Sequence, residues 1–259
     1  MEKTIPVKNY PYTLEDLSVV IPQASQYQRR IEWFIPQYIN ATPPQVIKNT
    51  IVTYDQEDDF TKSILAKYNI RGIHIQPPHS TYKMQGGFDA IKTRLCVRLH
   101  NDVWMRRRDW ASTLVNHFNN DNSAQMVGFV HQSGGIGQDK LEKLLSWYPV
   151  FKSVYESLEF SNNAIGSFFY AAQFMASQTY VFRGLYSLVV DFNEGKMDKE
   201  DVVTTLFAML HKIKLTHWAN MGEYVKDVGA SYGDFDEGFQ PVSAIEEYPI
   251  QPVFHEFTG

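Results

Sequence analysis

The apolar positions change period several times along the first hundred residues. Leu17 to Pro22 (LSVVIP) is a short apolar run closed by proline, the pattern of a buried strand. From Gln26 to Ile39, the residues Ile31, Phe34, Ile35, Tyr38 and Ile39 recur at helical spacing, with the helix breaker Pro36 inside the pattern. Ala41 to Pro44 interrupt it. Thr50 to Tyr54 read as a second strand, followed by the acidic loop Asp55 to Asp59. Phe60, Ile64, Leu65 and Tyr68 predict a second amphipathic helix, and Gly72 to Gln76 a third strand. Gly86-Gly87 open a loop or a helix start, and Leu95, Val97 and Leu99 alternate with Cys96 and Arg98 at strand spacing. Strands alternating with helices predict a right-handed, mostly parallel α/β half.

The second half is less regular. Trp110, Leu114, Val115 and Phe118 predict a helix, and Gln125 to Val130 a strand. The aromatic-rich stretch Ser167 to Tyr186 suits core placement, with a subunit interface or an acceptor wall as the other readings. Val202, Val203, Leu206, Phe207 and Leu210 form a helical face, and Ile213, Leu215 and His217 alternate on a strand after it. Beyond Gly229, Pro241, Pro249 and Pro252 break every pattern, which predicts an extended arm lying on the domain or on a neighbour. The expected division is a main domain over 1–230, with halves of about 14–103 and 104–230, and an arm over 231–259.

Composition narrows the class. With 259 residues, 44% of them hydrophobic and 20% charged, the chain is an ordinary globular protein. The one cysteine, Cys96, excludes an intramolecular disulfide and suits a reducing compartment. The richest apolar stretch, Ala164 to Val190, is broken by Ser167, Gln173, Ser177, Gln178 and Arg183, so no membrane span is expected. Met1 to Pro22 lacks a basic start and an apolar core, so no secretory signal is expected either. Together these point to the cytoplasm, the host's if the source is viral. The net charge of −5 is uneven: seven acids and no Lys or Arg lie from Asp227 to Gly259, leaving 24 basic against 22 acidic side chains in the body. A generic nucleic-acid binder is more basic.

Several enzyme classes are absent by motif: there is no P-loop, no GxGxxG after the first strand, no GxSxG, no HExxH and no CxxC. The informative segment is Leu95 to Trp110, where the alternating strand ends in His100-Asn101-Asp102. Polar groups at the carboxyl edge of an open α/β sheet sit where such folds bind ligands, and a carboxylate there can hold a divalent cation. Asn101 and Asp102 also suit a simple Asx turn. Asp198-Lys199-Glu200-Asp201 precede an amphipathic helix, where acids favour the helix dipole and Asp198 suits an N-cap. Arg106-Arg107-Arg108 read either as a solvated turn or as a phosphate contact, and Trp104 as core or as a stacking platform for a sugar or base. His217 reads as a satisfied, partly buried histidine.

These residues resemble a family-two glycosyltransferase of the GT-A fold, which implies a mixed, mostly parallel sheet flanked by helices. In that family an opening strand ends in an apolar-Val-Val-Ile-Pro run, as in Leu17 to Pro22, and a second strand ends in an aspartate that contacts the nucleotide, as in Ile51-Val52-Thr53-Tyr54-Asp55. A later strand ends in the metal motif, which His100-Asn101-Asp102-Val103 resembles. That motif with Asp109-Trp110, Val127-Gly128-Phe129, Gly134-Gly135-Ile136-Gly137, Phe151-Lys152-Ser153 and Glu159 is similar to glycosyltransferase-like proteins of bacteriophages. The match spans residues 17–160, and 185–230 more thinly. It departs in three places: His100 replaces the first acid, no His-Gly follows Glu159, and the Asn-rich stretch before the metal strand is reduced to Gly86-Gly87-Phe88-Asp89.

The resemblance implies metal-dependent, inverting transfer of a sugar from a nucleotide sugar to an acceptor hydroxyl, on a glycan or a hydroxymethylated DNA base. It assigns donor binding to Pro22, Gln23, Ala24, Asp55, His100 and Asn101. Asp102 and Asp227 would hold Mn2+ or Mg2+, Asp227 standing where the family has a late histidine. Asp201 would be the base, with Glu200 beside it, and Val190 to Gly195 resemble the turn that precedes that base. The rival readings are a non-catalytic binding protein on the same fold, self-associating through its aromatic stretch, and a nucleotidyl transferase.

Overall fold

The computed structural model describes residues 10–23, 28–55, 59–76, 79–121, 123–131, 146, 149, 169–193, 200–227 and 245–257. An eight-stranded sheet forms its centre. The strands are β1 (Leu17–Gln23), β2 (Thr50–Tyr54), β3 (Arg71–His74), β4 (Leu95–Leu99), β6 (Met126–His131), β7 (Phe169–Gln178), β8 (Leu215–Trp218) and β10 (Phe254–Phe257). Their order is β10-β8-β6-β7-β4-β1-β2-β3. The block β4-β1-β2-β3 is parallel. β7 runs antiparallel to both β4 and β6, β6 is parallel to β8, and β10 is antiparallel to β8. A small second sheet pairs β5 (Val103–Met105) with β9 (Val225–Asp227). The mixed, mostly parallel sheet flanked by helices that the resemblance implies is therefore present.

Alternation along the strands sorts the core onto two faces. Leu17, Val19, Ile21, Val97 and Leu99 pack on one side with Ile31, Phe34 and Ile35 of α1 (Gln28–Ala41) and Trp110, Leu114 and Phe118 of α5 (Trp110–Asn120). Val20 and Cys96 turn to the other side. There they meet Met84 and Phe88 of α4 (Ser80–Ala90), Phe182 and Tyr186 of α6 (Thr179–Asn193), and Val203 and Phe207 of α7 (Glu200–Leu210). Short helices α2 (Pro44–Lys48) and α3 (Asp59–Lys67) complete the layer around β1 to β3. α1 runs through Pro36, because its apolar face is buried in the core.

One expectation changes, and three others gain detail. Gly86 and Gly87 lie inside α4 rather than at a loop or a helix start. A Cβ on Gly87 would come within 2.3 Å of Val20 Cγ1, and one on Gly86 within 2.5 Å of Ile75 Cδ1, so the two glycines let α4 lie against the sheet. Gly87→Ala is expected to destabilise the protein by about 1–3 kcal/mol through overpacking. Denaturant unfolding would show it, and an unchanged midpoint would contradict the close approach.

Over its described part the C-terminal segment lies on the domain, the first of the two places expected for it. Residues 254–257 complete the main sheet as β10, and Asn220 brackets the approach to it by donating to the Gln251 carbonyl at 2.9 Å and accepting from the Val253 amide at 2.9 Å. The Phe254 ring stacks on His117, centroids 3.9 Å apart. The same segment meets the arginine run, of which Arg108 stays largely exposed. Arg106 pairs with Glu246 and donates to the Gly222 carbonyl at 3.1 Å. Arg107 holds Asp109 at 2.9 Å and the Tyr248 carbonyl, and Arg108 reaches Glu247 at 3.5 Å. Finally, the stretch after Phe169 is one long strand and one helix, β7 and α6, which the sequence reading left undivided.

Candidate functional site

From β1 the chain steps outward to β2 and β3, then returns to place β4 on the opposite side of β1. That reversal makes the carboxyl edge between β1 and β4 the switch point, where open α/β sheets leave a crevice. The sequence puts its polar residues at this edge: Gln23 ends β1, Asp55 follows β2, and His100-Asn101-Asp102 follow β4. Asn101 donates from Nδ2 to Gln23 Oε1, closing the gap between the two strands. Pro22 sits half-buried in β1, in register with Thr53. Ala24 lies outside the described residues.

Two charged clusters meet here. In the first, the Lys83 ammonium from α4 donates to Asp55 Oδ2 at 2.7 Å and to the Gln23 carbonyl at 3.1 Å. Gln76 donates to the Asp55 carbonyl at 2.9 Å, and His74 Nε2 lies 3.3 Å from the same oxygen. In the second, Arg30 Nη1 from the first turn of α1 lies 3.4 Å from Asp102 Oδ2, and His100 Nδ1 faces Asp102 Oδ1 at 3.7 Å. Arg98 Nη2 donates to His100 Nε2 at 2.8 Å. A guanidinium can only donate, so Nε2 is the acceptor nitrogen and the neutral ring carries its proton on Nδ1, toward Asp102. Burial holds the His100 imidazole well below its ordinary pKa, and the nearby charges of Arg98, Arg30 and Lys83 lower it further.

The other candidates lie on elements farther along the chain, and no hydrogen bond or ion pair among the described contacts joins them to Asp55 or Asp102. β9 pairs with β5 so that Asp227 stands opposite Val103, the residue after Asp102. α7 packs on β7, and its C-terminal end leads into Lys214, whose carbonyl accepts from the Met126 amide at the amino end of β6. Its first turn, with Glu200 and Asp201, therefore points to the carboxyl edge. Asp201 is half-buried, and its carbonyl accepts from the Thr205 hydroxyl at 2.8 Å. Asp198, Gly134 to Gly137, Phe151 to Ser153 and Glu159 lie outside the described residues. Trp104 is half-buried with the Arg106 guanidinium 5.4 Å from its ring centre. His217 is half-buried against Phe129, centroids 5.3 Å apart, and burial lowers its pKa.

Among the described residues, no three His, Cys, Asp or Glu side chains gather as a metal-binding group. Asp102 Oδ2 lies 3.4 Å from Arg30 Nη1, its Oδ1 lies 3.7 Å from His100 Nδ1, beyond hydrogen-bond distance, and Nε2 of His100 accepts from Arg98. The site's positive charge comes instead from Arg30, Lys83 and Arg98, none of which the sequence reading singled out. Arg98 alone left a trace, as the charged residue between Val97 and Leu99 on a buried strand.

No family model matches the chain, and no curated protein does. Solved structures share its arrangement at low identity. A 4-diphosphocytidyl-2C-methyl-D-erythritol synthase from Anaerococcus prevotii aligns with 77% of this chain and 84% of its own at 13% identity, TM-score 0.49. CMP:2-keto-3-deoxy-manno-octonic acid synthetase, solved with CTP, aligns over 77% and 87% at 13% identity, TM-score 0.47. Glucosyl-3-phosphoglycerate synthase from Mycobacterium tuberculosis, solved with Mn2+, UDP and phosphoglyceric acid, aligns over 80% and 84% at 13% identity, TM-score 0.46. At these values the likeness carries no inference about what the chain binds, and the similarity to bacteriophage proteins rests on sequence motifs alone. Fold and site together define a mixed, mostly parallel α/β protein with a buried charged cluster at its switch point. No helix among the described residues is long and apolar enough to cross a membrane.

Proposed function

We propose that the chain transfers a sugar from a nucleotide sugar to an acceptor hydroxyl, with inversion. The observation that carries this reading is the junction of the two clusters in the crevice between β1 and β4: Asp55 with Lys83 beside Gln23, and Asp102 with Arg30, His100 and Arg98 beside Asn101. A nucleotide sugar needs this combination, a carboxylate for the base or ribose next to cations for the diphosphate. Asp55 takes the first role, and Gln23 and Asn101 fix the spacing between the two parts.

In the reaction the acceptor oxygen attacks the anomeric carbon as the bond from that carbon to the diphosphate oxygen breaks. The bonding pair leaves with the diphosphate, and the acceptor proton passes to a carboxylate. Asp201 is the base in this proposal: it stands in the first turn of α7, which points to the same edge as Asp55 and Asp102. Glu200, one residue earlier, is the second carboxylate of that turn. The basic run Arg106 to Arg108, which a duplex DNA acceptor would have used, is bound to the C-terminal segment. The proposal therefore takes a glycan hydroxyl as the acceptor.

Release of nucleoside diphosphate from a panel of nucleotide sugars tests the reading. Asp201→Asn is expected to lower kcat by about 10²–10⁴-fold while donor affinity stays unchanged. Full turnover in that variant would remove Asp201 from the mechanism. Donor binding with no release from the wild-type chain in the presence of acceptor glycans would support the non-catalytic binding protein instead.

A further inference from the structure

Three basic side chains converge on the carboxyl edge of β1 and β4 from separate elements: Arg30 from α1, Lys83 from α4 and Arg98 from β4. They are 4%, 3% and 1% exposed, respectively, and all three act electrostatically on the His100 ring. A chain seldom buries three cations together without a use for their charge, because each loses its hydration. Their contacts orient them. Gln23 and Asp55 hold the ammonium of Lys83, Asp102 holds the Arg30 guanidinium, and His100 accepts from Arg98 while its Nδ1–H faces Asp102.

Asp102 stands among these cations: its Oδ2 lies 3.4 Å from Arg30 Nη1 and its Oδ1 3.7 Å from His100 Nδ1, so its charge positions the guanidinium. The backbone adds to the same field. α1 starts just past β1 at this edge and runs 14 residues, so its positive end lies beside Arg30.

We infer that Arg30, Lys83 and Arg98 grip the diphosphate of the donor, with Asp102 positioning Arg30, so that donor binding requires no divalent cation. This rests on the nucleotide-sugar reading above. The arginines offer planar N–H pairs to phosphate oxygens, and Lys83 supplies a point charge between base and phosphate. As the glycosyl bond breaks, the charge developing on the leaving diphosphate meets cations already in place.

Calorimetric titration of the full chain with UDP, GDP, CDP, ADP and dTDP, in excess EDTA and then in excess manganese, separates the possibilities. The expected result is that one diphosphate binds with nearly the same affinity in both buffers. Arg30→Lys then weakens it about tenfold or more, while the matching nucleoside without phosphate is unaffected. Thermal melts establish that the variant is folded, and Arg98→Lys carries the same comparison if it is not. Binding that appears only with manganese would overturn this inference and leave the nucleotide-sugar reading standing. Undiminished diphosphate affinity in both folded variants would also overturn it. No binding of any diphosphate in either buffer would remove the nucleotide-sugar reading itself.

Discussion

Lys83→Met lowers the unfolding free energy by about 3–5 kcal/mol and abolishes nucleotide binding. Lys83 and Asp55 form an ion pair at 2.7 Å with both side chains almost wholly buried. Removing the ammonium leaves the Asp55 carboxylate in a low-dielectric setting without the cation that offsets its desolvation. The paired replacement Lys83→Met with Asp55→Leu separates stability from function. Substituting apolar groups for both partners of a buried pair is often close to neutral, so the double variant is expected to recover most of the lost stability and still bind no nucleotide. Denaturant unfolding and calorimetry on the three proteins check this. A single variant as stable as wild type, or a double variant that binds nucleotide, would contradict the role given to the pair.

Asp102→Asn is expected to lower kcat/KM by about 10²-fold with a smaller loss of stability than Lys83→Met. An asparagine keeps the shape and one oxygen toward Arg30 but loses the charge that holds the guanidinium. A shift of about 1 Å in a group that meets the leaving diphosphate is enough for a loss of that size. The position of Asp102 is fixed on two sides, by Arg30 at 3.4 Å and by the turn into β5, where Val103 pairs with Asp227. Steady-state kinetics on the best donor provide the check, and wild-type kcat/KM in the variant would show that Asp102 does not act in transfer.

How much of this was legible in the chain follows from the range of the forces involved. The parallel half could be read because its signals are local. Thr50–Tyr54 and Leu95–Leu99 are strands over the spans that the apolar pattern predicts, and the polar residues after them stand at the ligand-binding edge. Gly86 and Gly87 misled because glycine normally breaks a helix. Here the close approach of α4 to Val20 and Ile75 favours it, and that contact spans many residues of sequence. β7 was hidden because its apolar residues, in a strand set between β4 and β6, do not alternate regularly with polar ones.

The candidate site divides in the same way. Asp55 and His100-Asn101-Asp102 stand out as strand ends. Lys83 and Arg30 are ordinary surface-type residues of amphipathic helices until the topology turns them inward, and no local pattern marks either one. The arginine run is conspicuous in sequence, but three of its partners, Glu246, Tyr248 and Glu247, lie some 140 residues away and could not be read from it.

The central claim is that a nucleotide sugar lies in the crevice between β1 and β4. A crystal structure with the best-binding nucleotide sugar tests it most directly. The account predicts the base beside Asp55 and the diphosphate among Arg30, Lys83 and Arg98, with the sugar directed toward the first turn of α7. A donor bound anywhere else on the molecule, or crystals that take up none at saturating concentration, would contradict it.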